Sequence, residues 1–372
     1  MHLQSISISN FRNYERADIT FSRHFNLIYG LNAHGKTNFL EAIYILCLGR
    51  SFRMAKNQNM LRFDSPHFII EGNLILDNQI QKTVVLRYIR DGLKEISIDH
   101  KRIRSHSTIF GHFPAVVMSP DEFRITAGGP AERRRFIDIL LSQVSVSYLS
   151  NLQEYNRILK QRNRILQNIR NGQTFDKNAI IPWNNSLVRK GSQIIGDRYS
   201  YLREFDTVLE PIYRQYTQSN ENLTVTLDSP FKDDTTEAIE AQFSTALAQV
   251  QRREEILGTT LRGPHRDDLR FSIDDVDLRH FGSRGEHKSA LISLKIAEFF
   301  FVQERRQETP IMLLDDCYSE LDGFREKRVF ESLKDLGQVF MTSPRQHQAA
   351  MSQEFSNSKA FHVENGVIEP WQ

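Results

Sequence analysis

The chain has 372 residues, 40% hydrophobic and 25% charged, with a formal net charge of +2 and two cysteines. Such a composition, without low-complexity tracts, describes a soluble globular protein of one large or two smaller domains. No apolar run approaches the ~18 residues of a membrane span, and "MHLQSISISNFRNYE" lacks the parts of a signal peptide. Cys47 and Cys317 make no disulfide framework and no Cys/His cluster has zinc-ligand spacing, so the expectation is a cytoplasmic protein without membrane partners.

The first 120 residues read as β-rich. "FNLIYG" (25–30) is an apolar run suited to a buried strand, and it leads into Gly30-x4-Gly35-Lys36-Thr37. Phe39, Leu40, Ile43, Leu46 and Cys47 then recur at helical spacing, with Gly49 placed as a C-cap. Apolar runs broken by Asp-Asn and Asp-Gly predict antiparallel hairpins, and "PAVVMSP" (114–120) predicts another buried strand. From about 122 to 256, turn-poor stretches place Tyr155, Ile158, Ile165 and Ile169 three or four positions apart, as in a helical insertion. Gly172, Pro182, Gly191, Gly196 and Pro211 are expected to break it into a compact lobe rather than an arm. Strands resume at "DDLRFSIDDVDL" (267–278), a helix covers 286–306, and "PIMLLDD" (310–316) and "QVFMTS" (338–343) are the remaining predicted strands.

The loop residues suit phosphate chemistry. Glycines let backbone N–H groups face an anion, and the helix after them presents its positive dipole end. Lys36 can reach the β- and γ-phosphates of a triphosphate, and the Thr37 hydroxyl can bind Mg2+. Asn32 and Asn38 complete the expected cofactor-binding set with Gly30, Gly35, Lys36 and Thr37. The Mg2+ carboxylate should end a neighbouring strand, where "IMLLDD" supplies Asp315 for the metal and Asp316 to orient or deprotonate water. An Asp-Asp pair after a strand is also ordinary turn chemistry. Lys36 and Asp315 are 279 positions apart, so the ATPase core is split between the chain ends. Ser283 and Gly285 open a second helix, either a plain cap or an anion-binding corner. A head-to-tail dimer would need such a corner, each chain completing the other's site.

Taken together, "NFRNYERADITF", "MSPDEFRITAGGPAERRRFID" (118–138), "RGPHRDDL" (262–269) and "LLDDCYSELD" (313–322) resemble the RecF family, ATPases of bacterial DNA replication and repair related to SMC and Rad50. The resemblance implies an α/β fold: an ABC-type P-loop ATPase head, a mixed sheet with helices, carrying an inserted, mostly helical second lobe. The expected division is 1–121 for the N-terminal half of the head, 122–256 for the lobe and 257–372 for the C-terminal half. It further implies ATP with Mg2+, an ATP-dependent homodimer, DNA binding, and work with the RecO and RecR mediators to load RecA. Hydrolysis is expected to be slow and DNA-stimulated, serving as a switch. Another SMC- or Rad50-like switch with different partners is the alternative.

"SRGEHK" departs from the family's signature, with Glu286 and His287 replacing two amides, and Glu286 should oppose a triphosphate unless Arg284 or Lys288 compensates. Asp316 is one methylene shorter than the glutamate of fast relatives. Thr342 and Ser343 stand where transporter-type relatives carry a histidine, which puts a switch role there in doubt. "SELD" (Ser319 to Asp322) resembles the D-loop of such dimers. Residues 124–203 carry 14 Lys/Arg against 5 Asp/Glu, whereas 204–240 carry 2 against 9. The basic stretch is either a solvated helix face or a DNA surface. Within the resemblance, the DNA-binding candidates are Arg133, Arg134, Arg135, Lys160, Arg162 and Arg164.

Overall fold

The structure is a computed structural model describing residues 1–90, 92–103, 109–172, 177–233, 235–316, 331, 333–334, 336–344 and 357–371. The chain begins with β1 (His2–Phe11), β2 (Tyr14–Thr20), β3 (Phe25–Tyr29) and α1 (Lys36–Leu48). There follow β4 (His67–Ile75), β5 (Gln81–Ile89), β6 (Lys94–Ile98), β7 (Lys101–Arg102) and β8 (Ala115–Met118). Next come α2 (Arg124–Ala127), α3 (Pro130–Val144), α4 (Val146–Arg170), α5 (Ile181–Thr217), β9 (Leu223–Asp228) and α6 (Thr236–Leu257). β10 (Asp268–Ile273), β11 (Val276–Asp277), α7 (Leu278–Phe281), α8 (Arg284–Arg306), β12 (Ile311–Leu314), β13 (Gln338–Ser343), β14 (Ser358–Glu364) and β15 (Val367–Pro370) complete it. No described helix is long and apolar enough to cross a membrane.

Packing divides the chain into Met1–Glu122 with Ile292–Gln372, and Phe123–Leu291. The first unit holds an antiparallel sheet ordered β2-β1-β4-β5-β6-β7 and a second ordered β15-β14-β3-β13-β12-β8. In the second sheet β14, β3, β13, β12 and β8 run parallel, and β15 alone reverses. Helix α1 is buried at all but two of its residues, as a helix apolar on most sides must be. Its Phe39, Ile43 and Leu46 share one cluster with Leu3, Ile70 and Leu86 of the antiparallel sheet and with Ile28, Leu313 and Phe340 of the parallel one. Each such fully buried side chain contributes about 1.5–3 kcal/mol.

The last strands were expected at 338–343, yet β14 and β15 follow and add to the sheet beyond β3. Their hairpin turns on Asn365 and Gly366, both at positive φ (49° and 80°), an Asn-Gly signal of the type I′ turn.

The second unit packs α3, α4, α5 and α6 with a small antiparallel sheet ordered β11-β10-β9. β9 lies inside the stretch expected to be helical, and "LTVTLD" alternates with period two. Because β10 pairs with β9, the second division falls at 291/292 rather than 256/257. Helix α5 runs unbroken through Gly191, Gly196 and Pro211, while Pro182 sits in its first turn, where proline is tolerated. Gly191 serves close packing instead: a Cβ there would lie 2.6 Å from the Phe243 ring and 3.1 Å from that of Tyr155.

Three arginines of the basic stretch are buried inside this unit. Arg133, 2% exposed, makes a bidentate pair with Asp268 at 2.7 and 2.8 Å. Arg162 is fully buried with an equally buried Glu254, 2.6 Å away, and also donates to Asn184 and Thr260. Arg198 joins Asp138, Asp267 and the Pro264 carbonyl. Beside them burial drives His265 down to about 4. Its neutral ring donates from Nε2 to the Thr260 carbonyl and accepts the Tyr155 hydroxyl at Nδ1. Arg133 and Arg162 are therefore structural pairs and not surface contacts for DNA, which corrects the expectation from charge counting.

Removing one partner of a buried pair leaves an uncompensated charge, so Arg162→Ala is expected to destabilise the unit by about 3–5 kcal/mol. Denaturant unfolding measures this, and Arg162→Met combined with Glu254→Leu should recover most of the loss.

Candidate nucleotide site

The loop between β3 and α1 leaves the sheet under a tight constraint. Gly30 has φ 156°, and a Cβ on it would lie 2.2 Å from the Val363 carbonyl of β14, so a side chain has no room. Helix α1 starts without a side-chain cap and without acidic residues in its first turn, which leaves its N-terminal donors suited to an anion. Lys36, 3% exposed, donates from Nζ to the carbonyls of Gly30 (2.9 Å) and Leu31 (3.2 Å) and lies 3.4 Å from Asn32 Oδ1.

β13 separates β3 from β12, and parallel pairing brings the C-terminal ends of all three to one side. That register delivers Asp315 and Asp316 to the loop. The Thr37 hydroxyl donates to Asp315 Oδ1 at 2.9 Å, and Lys36 Nζ lies 3.9 Å from Asp316 Oδ2. Burial, with the neighbouring Asp316 charge, pushes the Asp315 carboxyl up to about 6, against hydrogen bonds from Thr37 and Thr342 and the charge of Arg53. A cavity of about 370 Å3 lies over this ground, lined by Asn32, Gly35, Lys36, Thr37, Asn38, Arg53, Asp121, Asp315 and Asp316 among others. Its size suits a small-molecule ligand. Two hard oxygen donors, the Thr37 hydroxyl and the Asp315 carboxylate, suit Mg2+.

Arg53 is a cavity residue that the sequence did not single out, and it ends a relay that begins in "NFRNY". Arg53 Nη1 donates to Asn38 Oδ1 (3.1 Å), Asn38 Nδ2 to Asn13 Oδ1 (2.8 Å), and Asn13 Nδ2 to the His34 carbonyl (2.8 Å). Tyr14 OH donates to the Gly35 carbonyl at 3.0 Å. Arg12 grips the buried Glu41 of α1 with two bonds of 2.8 and 2.9 Å, so the β1–β2 turn braces both loop and helix. That stretch entered the sequence reading only as a family mark.

Ser283 and Gly285 belong to the other unit. Ser283 N–H donates to the Glu286 carboxylate at 2.6 Å, and Glu286 N–H donates to Ser283 Oγ at 3.2 Å, a reciprocal capping box at the start of α8. The Ser283 N–H, and then its hydroxyl, lower the pKa of the Glu286 carboxyl. His287 is buried against the Phe123 ring, 5.6 Å between centroids, and burial lowers its pKa. Arg134 donates to the Asp267 carbonyl at 2.6 Å and Arg135 is half-buried, whereas Lys160 and Arg164 stand exposed on α4 with Arg157 one turn before them. Ser319 to Asp322 and Cys317 lie outside the described residues.

Asn13→Ala removes the joint between loop, α1 and Arg53. ATP binding is expected to weaken by up to about tenfold, the upper end for one neutral hydrogen bond, with folding retained. Fluorescent-nucleotide titration beside a melting curve measures both.

The family described as the RecF/RecN/SMC N terminal domain matches residues 2–369. The DNA replication and repair protein RecF of Agathobacter rectalis is 37% identical over 99% of each chain. That of Salinibacter ruber is 35% identical over 98% of this chain and 91% of its own. Solved structures of the recombination mediator protein RecF in the RecFOR pathway, with ATPrS and with ATP, superpose with TM-scores of 0.92 and 0.88 at 29% and 28% identity, each covering 100% of this chain and 98% of its own. An Smc head bound to the C-winged helix domain of ScpA shares the fold at a TM-score of 0.56 and 15% identity, over 100% of this chain and 97% of its own. On these grounds the chain belongs to the RecF family, an ATPase-head fold carrying an inserted lobe.

Proposed function

We propose that this chain is an ATP-controlled DNA-binding protein of replication and recombinational repair, which dimerises on ATP and acts with RecO and RecR in loading RecA. The observation that carries the reading is the Thr37–Asp315 bond at 2.9 Å, which joins phosphate loop and strand-end carboxylates in one cavity, in a chain 37% identical to a RecF protein. Mg2+, when bound, neutralises phosphate charge, and Thr37 and Asp315 are the residues to hold it. Lys36 and the N-terminal donors of α1 bind the triphosphate. Asp316 orients the attacking water, its short side chain favouring slow turnover, so ATP acts as a dimerisation signal. Ser283 and Gly285 of one chain complete the site of the second. The exposed face of α4, with Arg157, Lys160 and Arg164, supplies a sequence-independent phosphate surface for DNA.

With Asp316→Asn, ATP turnover is expected to fall while an ATP-bound dimer accumulates in analytical ultracentrifugation; a variant that stays monomeric with ATP sinks the shared-site reading. For DNA, Lys160→Ala with Arg164→Ala should lower the slope of log affinity against log salt by about two on duplex and gapped substrates. An unchanged slope moves the DNA surface away from α4.

A further inference from the structure

β13 lies between the two strands that carry the phosphate loop and the carboxylates, and Thr342 is on it, 1% exposed. Its hydroxyl oxygen accepts the Asp316 N–H at 2.8 Å. The same hydroxyl lies 3.0 Å from Asp315 Oδ1 and 3.3 Å from Asp316 Oδ1. A hydroxyl has one proton and two lone pairs, so it can accept the amide and donate to one carboxylate at a time. Asp315 Oδ1 thus receives hydroxyls from both ends of the chain, Thr37 and Thr342. Asp316 itself has φ 45°, a left-handed conformation that a non-glycine residue keeps only where its surroundings hold it. Its N–H bond to Thr342 is one such restraint.

We propose that Thr342 is a positioning residue for Asp316: it pins the backbone turn that presents the Asp316 carboxylate towards Lys36, and it couples that turn to the metal-binding Asp315. This rests on the ATPase reading above for its consequence, though not for its geometry. The sequence offered no histidine here for a switch, and the hydroxyl supplies a different device. It works from beneath the carboxylates instead of reaching across to the phosphate.

Thr342→Val keeps the β-branched shape and removes the hydroxyl, while Thr342→Ser keeps the hydroxyl and loses a methyl. In Thr342→Val, ATP turnover is expected to fall about 10- to 100-fold, the range for a lost charged-group hydrogen bond, with the KM for ATP moving less than about threefold. Thr342→Ser should restore turnover. Hydrogen exchange of the nucleotide-free protein supplies an activity-independent readout: the Asp316 amide should be protected in the parent and in Thr342→Ser, and exchange about tenfold faster in Thr342→Val, with melting temperatures matched. Equal exchange in all three overturns the proposal, as does turnover in Thr342→Val at the parent rate. A parent that hydrolyses no ATP overturns the proposed cycle instead, and the exchange comparison still decides the role of Thr342.

Discussion

The Thr37 hydroxyl reaches Asp315 across 278 positions of sequence, and the head can make that contact only if its two halves lie in one sheet. β8, the last strand before the inserted lobe, pairs with β12, the first strand after it, in register from Ala115↔Ile311 to Met118↔Leu314. The lobe is therefore one connection between neighbouring parallel strands, enlarged from a loop to a unit of its own. Loop-closure entropy grows only logarithmically with length, so a connection of this size costs little more than a short one once the strands pair. β13 then sets the spacing of the site, because the loop and the carboxylates lie one strand apart on either side of it. Helix α1 adds the direction: buried between two sheets, it cannot tilt its N-terminus without displacing core side chains from both.

Charge counting misled at Arg133 and Arg162 for a physical reason. An excess of Lys and Arg is a one-dimensional quantity, while burial depends on partners brought close by folding. The carboxylates that neutralise Arg133 and Arg162 are 135 and 92 positions away, in or beside "RGPHRDDL" and at the end of α6. Guanidinium groups suit this task because their fixed fork can satisfy several acceptors at once, as Arg162 does with Asn184, Thr260 and Glu254. The recurring Arg and Asp of the family's motifs thus serve two ends here, a buried polar frame in the lobe and an open phosphate pocket in the head. Other cations of the stretch do face solvent, among them Arg157, Lys160 and Arg164 on α4 and Arg189 and Arg203 on α5.

What could be read from sequence was local. β3, the loop, α1 and the Asp315–Asp316 strand end each show their periodicity within about fifteen residues, and each lies where its pattern places it. β14 and β15 carried an Asn-Gly signal in a short, polar-flanked run, too weak alone to announce a strand that pairs with β3. The unbroken α5 shows the opposite error. Its glycines look like breaks, yet Gly191 is there because Phe243 and Tyr155 press against the helix backbone. Asn13 was invisible as a site residue, and Thr342 was read only as standing in the place of a histidine, because their roles lie in hydrogen bonds to residues distant in sequence or to backbone atoms.

The capping box bears on how a shared site could be regulated by charge. Ser283 Oγ and N–H already have partners in Glu286, so the serine corner of the single chain is satisfied by its own carboxylate. In the proposed dimer, a γ-phosphate arriving from a second chain would compete with that carboxylate for the serine. The head cavity has carboxylates of its own, with Asp121, Asp315 and Asp316 beside Lys36 and Arg53 among its lining residues. In the proposed dimer Glu286 therefore opposes the incoming triphosphate, a repulsion that falls with salt and distance, and the exposed Arg284 in the same turn is a cation placed to offset it.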